Sequence, residues 1–166
     1  AVFGKPIQNL LGEGGTDLLF SVTDTSTDAA FRYSAVLLDA ARLAEFADAS
    51  GHIALDQIDA ASGAVYRFTT GSGPESLPFT FATSAGDIDG DGRADLLFEI
   101  SNDDPDAGEP LAFVVRAADL DMLDRADGTR DGMIDLRNIG PERITVAVYN
   151  DGSGAAAKRM EGATDT

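Results

Sequence analysis

The densest chemistry in this chain lies in nine consecutive residues, Asp87-Ile88-Asp89-Gly90-Asp91-Gly92-Arg93-Ala94-Asp95. A hard cation takes roughly six to eight oxygens inside a small sphere. Carboxylates at alternate positions, Asp87, Asp89 and Asp91, converge when the chain wraps around an ion. Glycine at the sixth position, Gly92, permits the sharp turn, after which the Arg93 carbonyl points inward. Asp95, at the ninth position, closes the sphere directly or through water. Without a cation these groups repel, at about 1 kcal/mol per pair for charges about 4 Å apart even in water. A solvated acidic turn is the competing reading, and the spacing and the central glycine argue against it. The expected ion is Ca²⁺.

A second acidic stretch runs Asp127-Gly128-Thr129-Arg130-Asp131-Gly132-Met133-Ile134-Asp135-Leu136-Arg137-Asn138. Laid on an EF-hand loop, it puts oxygens from Asp127, Thr129 and Asp131 at positions 1, 3 and 5. Glycine falls at 6, the Met133 carbonyl at 7, apolar Ile134 at 8 and Asp135 at 9. Position 12 is Asn138 instead of a bidentate Glu, which removes one oxygen and lowers affinity. In this the loop is similar to dockerin-type calcium loops. The alternative is a polar turn whose Ile134, Leu136 and Ile139 anchor a sheet.

Catalysis finds little foothold. There is no cysteine and one histidine, His52, in the turn-like Ala49-Ser50-Gly51-His52-Ile53. No Gly-x-Ser-x-Gly elbow occurs. Pairs of acids carry no weight as catalytic candidates when the chain holds 29 of them against 12 basic residues, for a net charge of −17. By count from the sequence, 22 are Asp and 7 are Glu, a split that favours turns and oxygen ligands over helix. So anionic a chain is a poor partner for nucleic acid or acidic lipid, which need a basic face. The longest apolar run, Leu111 to Val115, is far too short to cross a membrane, so no membrane insertion is expected. The opening Ala1-Val2-Phe3-Gly4, with no Met and no signal peptide, reads as a processed or excised piece.

The elements that position these loops come in two copies. At an offset of 78, Gly12-Glu13-Gly14-Gly15-Thr16-Asp17-Leu18-Leu19-Phe20 falls on Gly90-Asp91-Gly92-Arg93-Ala94-Asp95-Leu96-Leu97-Phe98. At 77, Ala40-Ala41-Arg42-Leu43 meets Ala117-Ala118-Asp119-Leu120. At 81, Gly51-His52-Ile53-Ala54-Leu55 meets Gly132-Met133-Ile134-Asp135-Leu136. The expected units are residues 1–78 and 79–154, followed by a tail or linker at 155–166. Each carries four strand-like runs: Ala1–Lys5, Asp17–Thr23, Tyr33–Leu38 and Ala64–Thr70, then Phe79–Ser84, Asp95–Ser101, Leu111–Arg116 and Ile144–Asn150. A short helix is expected at Ala117–Arg125, from Leu120 and Leu123 at i, i+3. A duplicated α+β domain is the alternative. In the first copy the loop positions are Asn9, Leu11, Glu13, Gly15 and Asp17. Leu11 offers no side-chain oxygen, so no tight ion is expected there.

Around the first loop, Ser84-Ala85-Gly86-Asp87-Ile88-Asp89-Gly90-Asp91-Gly92-Arg93-Ala94-Asp95-Leu96-Leu97 resembles the FG-GAP repeats of integrin α-subunits and bacterial surface proteins. Val2-Phe3-Gly4-Lys5-Pro6 is similar to a further fragment of those repeats. Position twelve of the loop is Phe98, inside a strand-like run, which separates it from an EF-hand. The resemblance implies an all-β fold of two tandem four-stranded β-propeller-like blades, with calcium loops and one short helix per repeat. It also implies Ca²⁺ held by Asp87, Asp89, Asp91, Asp95 and the Arg93 carbonyl. The expected function is a non-enzymatic, calcium-stabilised extracellular binding, adhesion or scaffold module, secreted or on a cell surface. Its partner is an unknown protein or glycan. The alternative is a self-assembling filament or surface-layer subunit whose partners are further copies of itself.

Overall fold

Short runs of Val, Leu, Phe, Tyr and Thr bounded by Gly, Asp and Pro pack well on a pleated surface and poorly in a helix. The computed structural model turns them into nine strands, describing residues 2–12, 14–23, 33–55, 58, 65–71, 76–100, 111–138 and 146–149. The first four are β1 (Val2–Gln8), β2 (Thr16–Thr23), β3 (Tyr33–Asp39) and β4 (Val65–Thr69). Then come β5 (Phe79–Gly86), β6 (Asp95–Ile100), β7 (Leu111–Val115), β8 (Met133–Asp135) and β9 (Val146–Tyr149). Two short helices, α1 (Leu43–Phe46) and α2 (Leu120–Asp124), each follow a single 3₁₀ turn, at Ala40–Arg42 and Ala117–Asp119. The expected tail at 155–166 lies outside the described residues.

The chain is mostly β and makes two sheets, in the orders β1-β2-β3-β4-β8 and β5-β6-β7-β9. Within each, the first four members form an antiparallel meander. All eight expected runs become these strands, within a few residues at their ends. The ninth strand was not expected. Met133-Ile134-Asp135 runs parallel to β4, with Arg67 opposite Met133, Phe68 opposite Ile134 and Thr69 opposite Asp135. Three residues are too few to display a period of two. Their partner is also more than sixty positions away, so local pattern carries no trace of the pairing.

The sheets stack face to face around one shared core. Leu19, Ala35, Leu37, Tyr66 and Phe68 of the first sheet meet Leu96, Phe98, Ile100, Phe113 and Val115 of the second. Phe68 and Phe98 lie 4.7 Å apart between ring centroids at 43°, and Phe79 and Phe98 5.7 Å apart at 59°, the tilted geometry that aromatic pairs favour. α2 and β8 close one side of this core through Leu120, Leu123, Ile134 and Leu136.

The far face of the first sheet carries a smaller cluster, Val36, Leu38 and Val65, covered by Leu43, Phe46, Leu55 and Ile58 of the connection that includes α1. Burial on both faces explains the uninterrupted apolar run Ala35-Val36-Leu37-Leu38, where a half-exposed strand would alternate.

Because both meanders share one core, unfolding is expected as a single transition. Phe98→Ala is expected to lower stability by about 3–5 kcal/mol, whereas Ile88→Ala, at an exposed loop position, stays within about 0.5 kcal/mol. Urea titrations followed by far-ultraviolet circular dichroism and tyrosine fluorescence check both values and the coincidence of the two probes.

Candidate metal centre

The loop joining β5 to β6 brings three carboxylates together. One oxygen from each of Asp87, Asp89 and Asp95 lies within 4.8 Å of the others, the one such group of acidic, histidine or cysteine side chains among the described residues. Backbone amides hold the carboxylates in place. Asp87 accepts from Gly90 N–H (2.7 Å) and Gly92 N–H (2.9 Å). Asp89 accepts from Asp91 N–H (3.2 Å), and Asp91 from Arg93 N–H (2.8 Å). Asp95 is fully buried; one oxygen accepts from Ile88 N–H (2.8 Å) and the other from Ala117 N–H (3.0 Å). Gly92 has φ of +87°, a conformation only glycine adopts cheaply, and this folds the loop back on itself.

A carboxylate oxygen that accepts one amide retains a second lone pair. The loop is therefore rigid and still able to bind. Asp87, Asp89, Asp91 and Asp95 make no ion pair among the described residues, so their mutual repulsion is left uncompensated by protein. Oxygen-only donors, close spacing and unbalanced negative charge suit a hard divalent cation such as Ca²⁺. Asp91 stands outside the group of three, its carboxylate turned to the Arg93 amide. The Arg93 side chain reaches away from the loop, donating to the Leu10 carbonyl (3.0 Å) and the Ala117 carbonyl (2.7 Å).

The first copy repeats the fold of this loop with different chemistry. Asp17, the counterpart of Asp95, is buried and accepts from Leu10 N–H (2.8 Å) and Leu11 N–H (3.0 Å). Asn9 stands where Asp87 does and accepts from Gly14 N–H (2.8 Å), matching the Gly92-to-Asp87 bond. Its amide nitrogen then donates across to the Gly92 carbonyl at 3.0 Å. A carboxylate has no hydrogen to make that bond. The two loops therefore touch, the first carrying fewer carboxylates than the second. Asn9 and the Arg93 side chain, which tie them together, were not anticipated from sequence. Their spacing from each other is long-range, and only the offset of 78 links the two loops beforehand.

The second acidic stretch is arranged otherwise. Asp127 accepts from the Thr129 amide (2.8 Å) and hydroxyl (2.7 Å), Asp131 from Met133 N–H (3.0 Å), and Asp135 from Arg137 N–H (3.0 Å). Each carboxylate caps its own turn, and none joins a group of three. Asp135 also has Arg137 Nε at 3.8 Å. Met133 and Asp135 sit in β8, and the Asn138 side chain lies outside the described residues. The structure thus gathers Asp87, Asp89 and Asp95, whereas the carboxylates of Asp127, Asp131 and Asp135 join no such group; Thr129 lies in the turn between them and Met133 in β8.

Asp124 is the residue missed here. It is 3% exposed and accepts from Gly132 N–H at 2.6 Å, closing the turn that the sequence assigns to a cation. A signal existed: position 124 shares the helical face of Leu120 and Leu123. Burial pushes the Asp124 carboxyl above the usual range, and the nearby charges of Asp131 and Asp121 add to this. The Gly132 amide and Arg130 work against it. The Thr129 hydroxyl holds Asp127 below its usual range.

His52 lies in an exposed turn with Nδ1 3.1 Å from the Ser50 hydroxyl. Asp48 takes the Ser50 hydroxyl at 2.7 Å and the amides of Ser50 and His52. The carboxylate thus holds the serine and the backbone, a turn cap and not a relay through imidazole.

Comparison of the chain with protein-family models, with curated proteins and with solved structures gives no significant match.

Two outcomes follow from this geometry. Asp95→Ala orphans two amides, one of them on the buried Ala117, and is expected to cost about 1–3 kcal/mol for each buried group left unpaired, read by chemical denaturation. Asp124 binds its proton more tightly folded than unfolded. Its charged form therefore weakens the fold above the raised pKa, and stability returns as pH falls through it. Asp124→Asn keeps the acceptor for Gly132 and is expected to remove this component. The difference in melting temperature between variant and parent, measured with chelator present, should shrink as pH falls from neutrality toward the ordinary carboxylate range.

Proposed function

We propose that this chain is a calcium-stabilised binding or scaffold module of an extracellular protein, non-enzymatic, whose two meanders are blades of the FG-GAP type. The observation that carries the reading is the convergence of Asp87, Asp89 and Asp95 in a glycine-turned loop between two strands, with no cation among the described residues to balance them. The front-to-back stacking of two four-stranded meanders supports the blade reading, since propeller blades are small antiparallel sheets packed face to face. Units expected at 1–78 and 79–154 each contribute one meander.

Location follows from affinity. Loops of this kind bind with dissociation constants of roughly 10⁻⁴–10⁻³ M in extracellular modules. Cytosolic free calcium would leave such a loop empty and self-repelling. Binding of a protein or glycan, and not catalysis, is the work assigned, in keeping with a histidine confined to an exposed turn cap. The loop at 127–138 holds an ion on this reading only if its carboxylates draw together, which among the described residues only Asp87, Asp89 and Asp95 do, so the first loop is the principal site.

Calcium at ten to a hundred times the dissociation constant adds roughly 1.4–2.7 kcal/mol for one site, which for a domain of this size raises the melting temperature by roughly 3–10 °C. Asp89 is exposed and caps a single amide, so Asp89→Asn is expected to fold while losing most of this shift. Thermal melts of parent and variant, in calcium and in chelator, with titration calorimetry alongside, decide the matter. An identical parent midpoint in the two conditions, with no heat of binding, rejects the reading.

A further inference from the structure

The stacking of the two sheets has a direction. Leu19, Ala35 and Leu37 lie on the face of the first sheet that meets the second. Their counterparts, at offsets of 97 − 19 = 78 and 114 − 37 = 77, are Leu97, Ala112 and Val114. In the second sheet these residues lie on the opposite side, because their neighbours Leu96, Phe98, Phe113 and Val115 fill the core. The reverse holds for Phe20, Val36 and Leu38. They occupy the far face of the first sheet, whereas their counterparts Phe98, Phe113 and Val115 face inward. The front of one repeat therefore packs on the back of the next. A contact of this kind is heterologous: among the described residues it leaves one front and one back with no sheet stacked on them at the two ends.

We propose that a second copy of this chain fills the vacancy, docking head to tail. The open front is the outer side of the second sheet, where Val114 is buried, Leu97 and Ala112 are half-buried and Glu99 is exposed. The open back is the outer side of the first sheet: the connection that includes α1 already buries Val36, Leu38 and Val65 there, and the half-buried Phe20, Val22, Leu43 and Phe46 form the surface a neighbour would meet. These are the two halves of an interface already present once inside the chain, which is why a further copy is the occupant that fits.

The strand exchange supports the same operation. β8 leaves the second repeat to extend the first sheet at β4. Its counterpart at an offset of 81 is residues 52–54, which carry one isolated bridge, Ile53 to Ala47. The counterpart of the β4 edge is β9, which among the described residues pairs with β7 alone. Repeating the internal contact between copies lays 52–54 of one chain parallel to β9 of its neighbour. Calcium takes no part in the proposal, which stands or falls separately from the metal reading.

Sedimentation of the full chain across a concentration series, in calcium and again in chelator, is the test. Concentration-dependent species larger than a dimer are expected in both conditions. Leu97→Arg on the front, or Ala112→Arg if the former does not fold, and Phe46→Asp on the back are each expected to reduce self-association by about tenfold or more. An equal mixture of a front and a back variant should yield a dimer of one of each, since each retains the half the other lacks. A parent chain that remains monomeric up to about 1 mM, a concentration matching very weak association, overturns the proposal. So does a front or back variant that still pairs with itself, which marks a two-fold interface. Association that begins only after residues 151–166 are removed would place the chain's own tail on the front face and overturn it as well.

Discussion

A carboxylate buried at the entry to the second strand of each meander is the constraint around which this molecule is built. Asp17 and Asp95 are both almost wholly removed from water, and each takes backbone amides from the loop that precedes it. A buried charge is costly unless hydrogen-bonded, and here the bonds fix the loop's path. Asp95 also takes the Ala117 amide, so the same side chain ties the β5–β6 loop to the turn that leads into α2. Loop, strand start and helix entry are thereby set by one residue.

On that shared frame the two copies have parted in chemistry. Positive φ recurs at Gly12 and Gly90, and again at Gly14 and Gly92, so the backbone of the two loops turns alike. What differs is charge. Asp87 and Asp89 have Asn9 and Leu11 as counterparts, and the first loop spends its polar group on its neighbour: the Asn9 amide binds the Gly92 carbonyl, and the Arg93 guanidinium returns a bond to the Leu10 carbonyl. Had both loops been fully acidic, two anionic rings would have been pressed against each other at the seam between the sheets. With Asn9 and Leu11 in place of two aspartates, the first loop adds less negative charge to the seam.

Much of the fold was legible in the sequence. The eight runs at the offset of 78 became eight strands in two meanders, because β-branched and aromatic segments between glycines have few other ways to bury their surface. The approach of Asp87, Asp89 and Asp95 follows the expected loop positions one, three and nine, whereas Asp91 at position five, expected with them, stands outside the group. β8 was not, because its three residues owe their strand geometry to β4 and not to themselves. Neither was Asp124, whose burial depends on α2 lying against the core. For β8 tertiary contact overrode a local signal that pointed to a loop; for Asp124 the helix was expected, and the face it shares with Leu120 and Leu123 was the signal left unused. The turn at 127–132 shares the amide bonds of the first loop, Asp127 and Asp131 each accepting from the amide two residues ahead, but its carboxylates join no group of three.

The seam between the loops ties the metal reading to the stacking of the sheets. Gly92 and Arg93 belong to the loop whose carboxylates would hold the ion, and both bond to residues at the end of β1 and beyond it, in the other sheet's meander. An ion drawn in by Asp87, Asp89 and Asp95 would stiffen the backbone that carries those bonds. Its stabilisation would then be felt at the contact between sheets and not only inside the loop, as linkage requires for any ligand that prefers the docked arrangement. Within the chain, front-to-back stacking is closed by this one acidic loop pressed on a loop that has Asn9 and Leu11 in place of two of its aspartates. A repeat with two acidic loops would have to screen that seam by some other means.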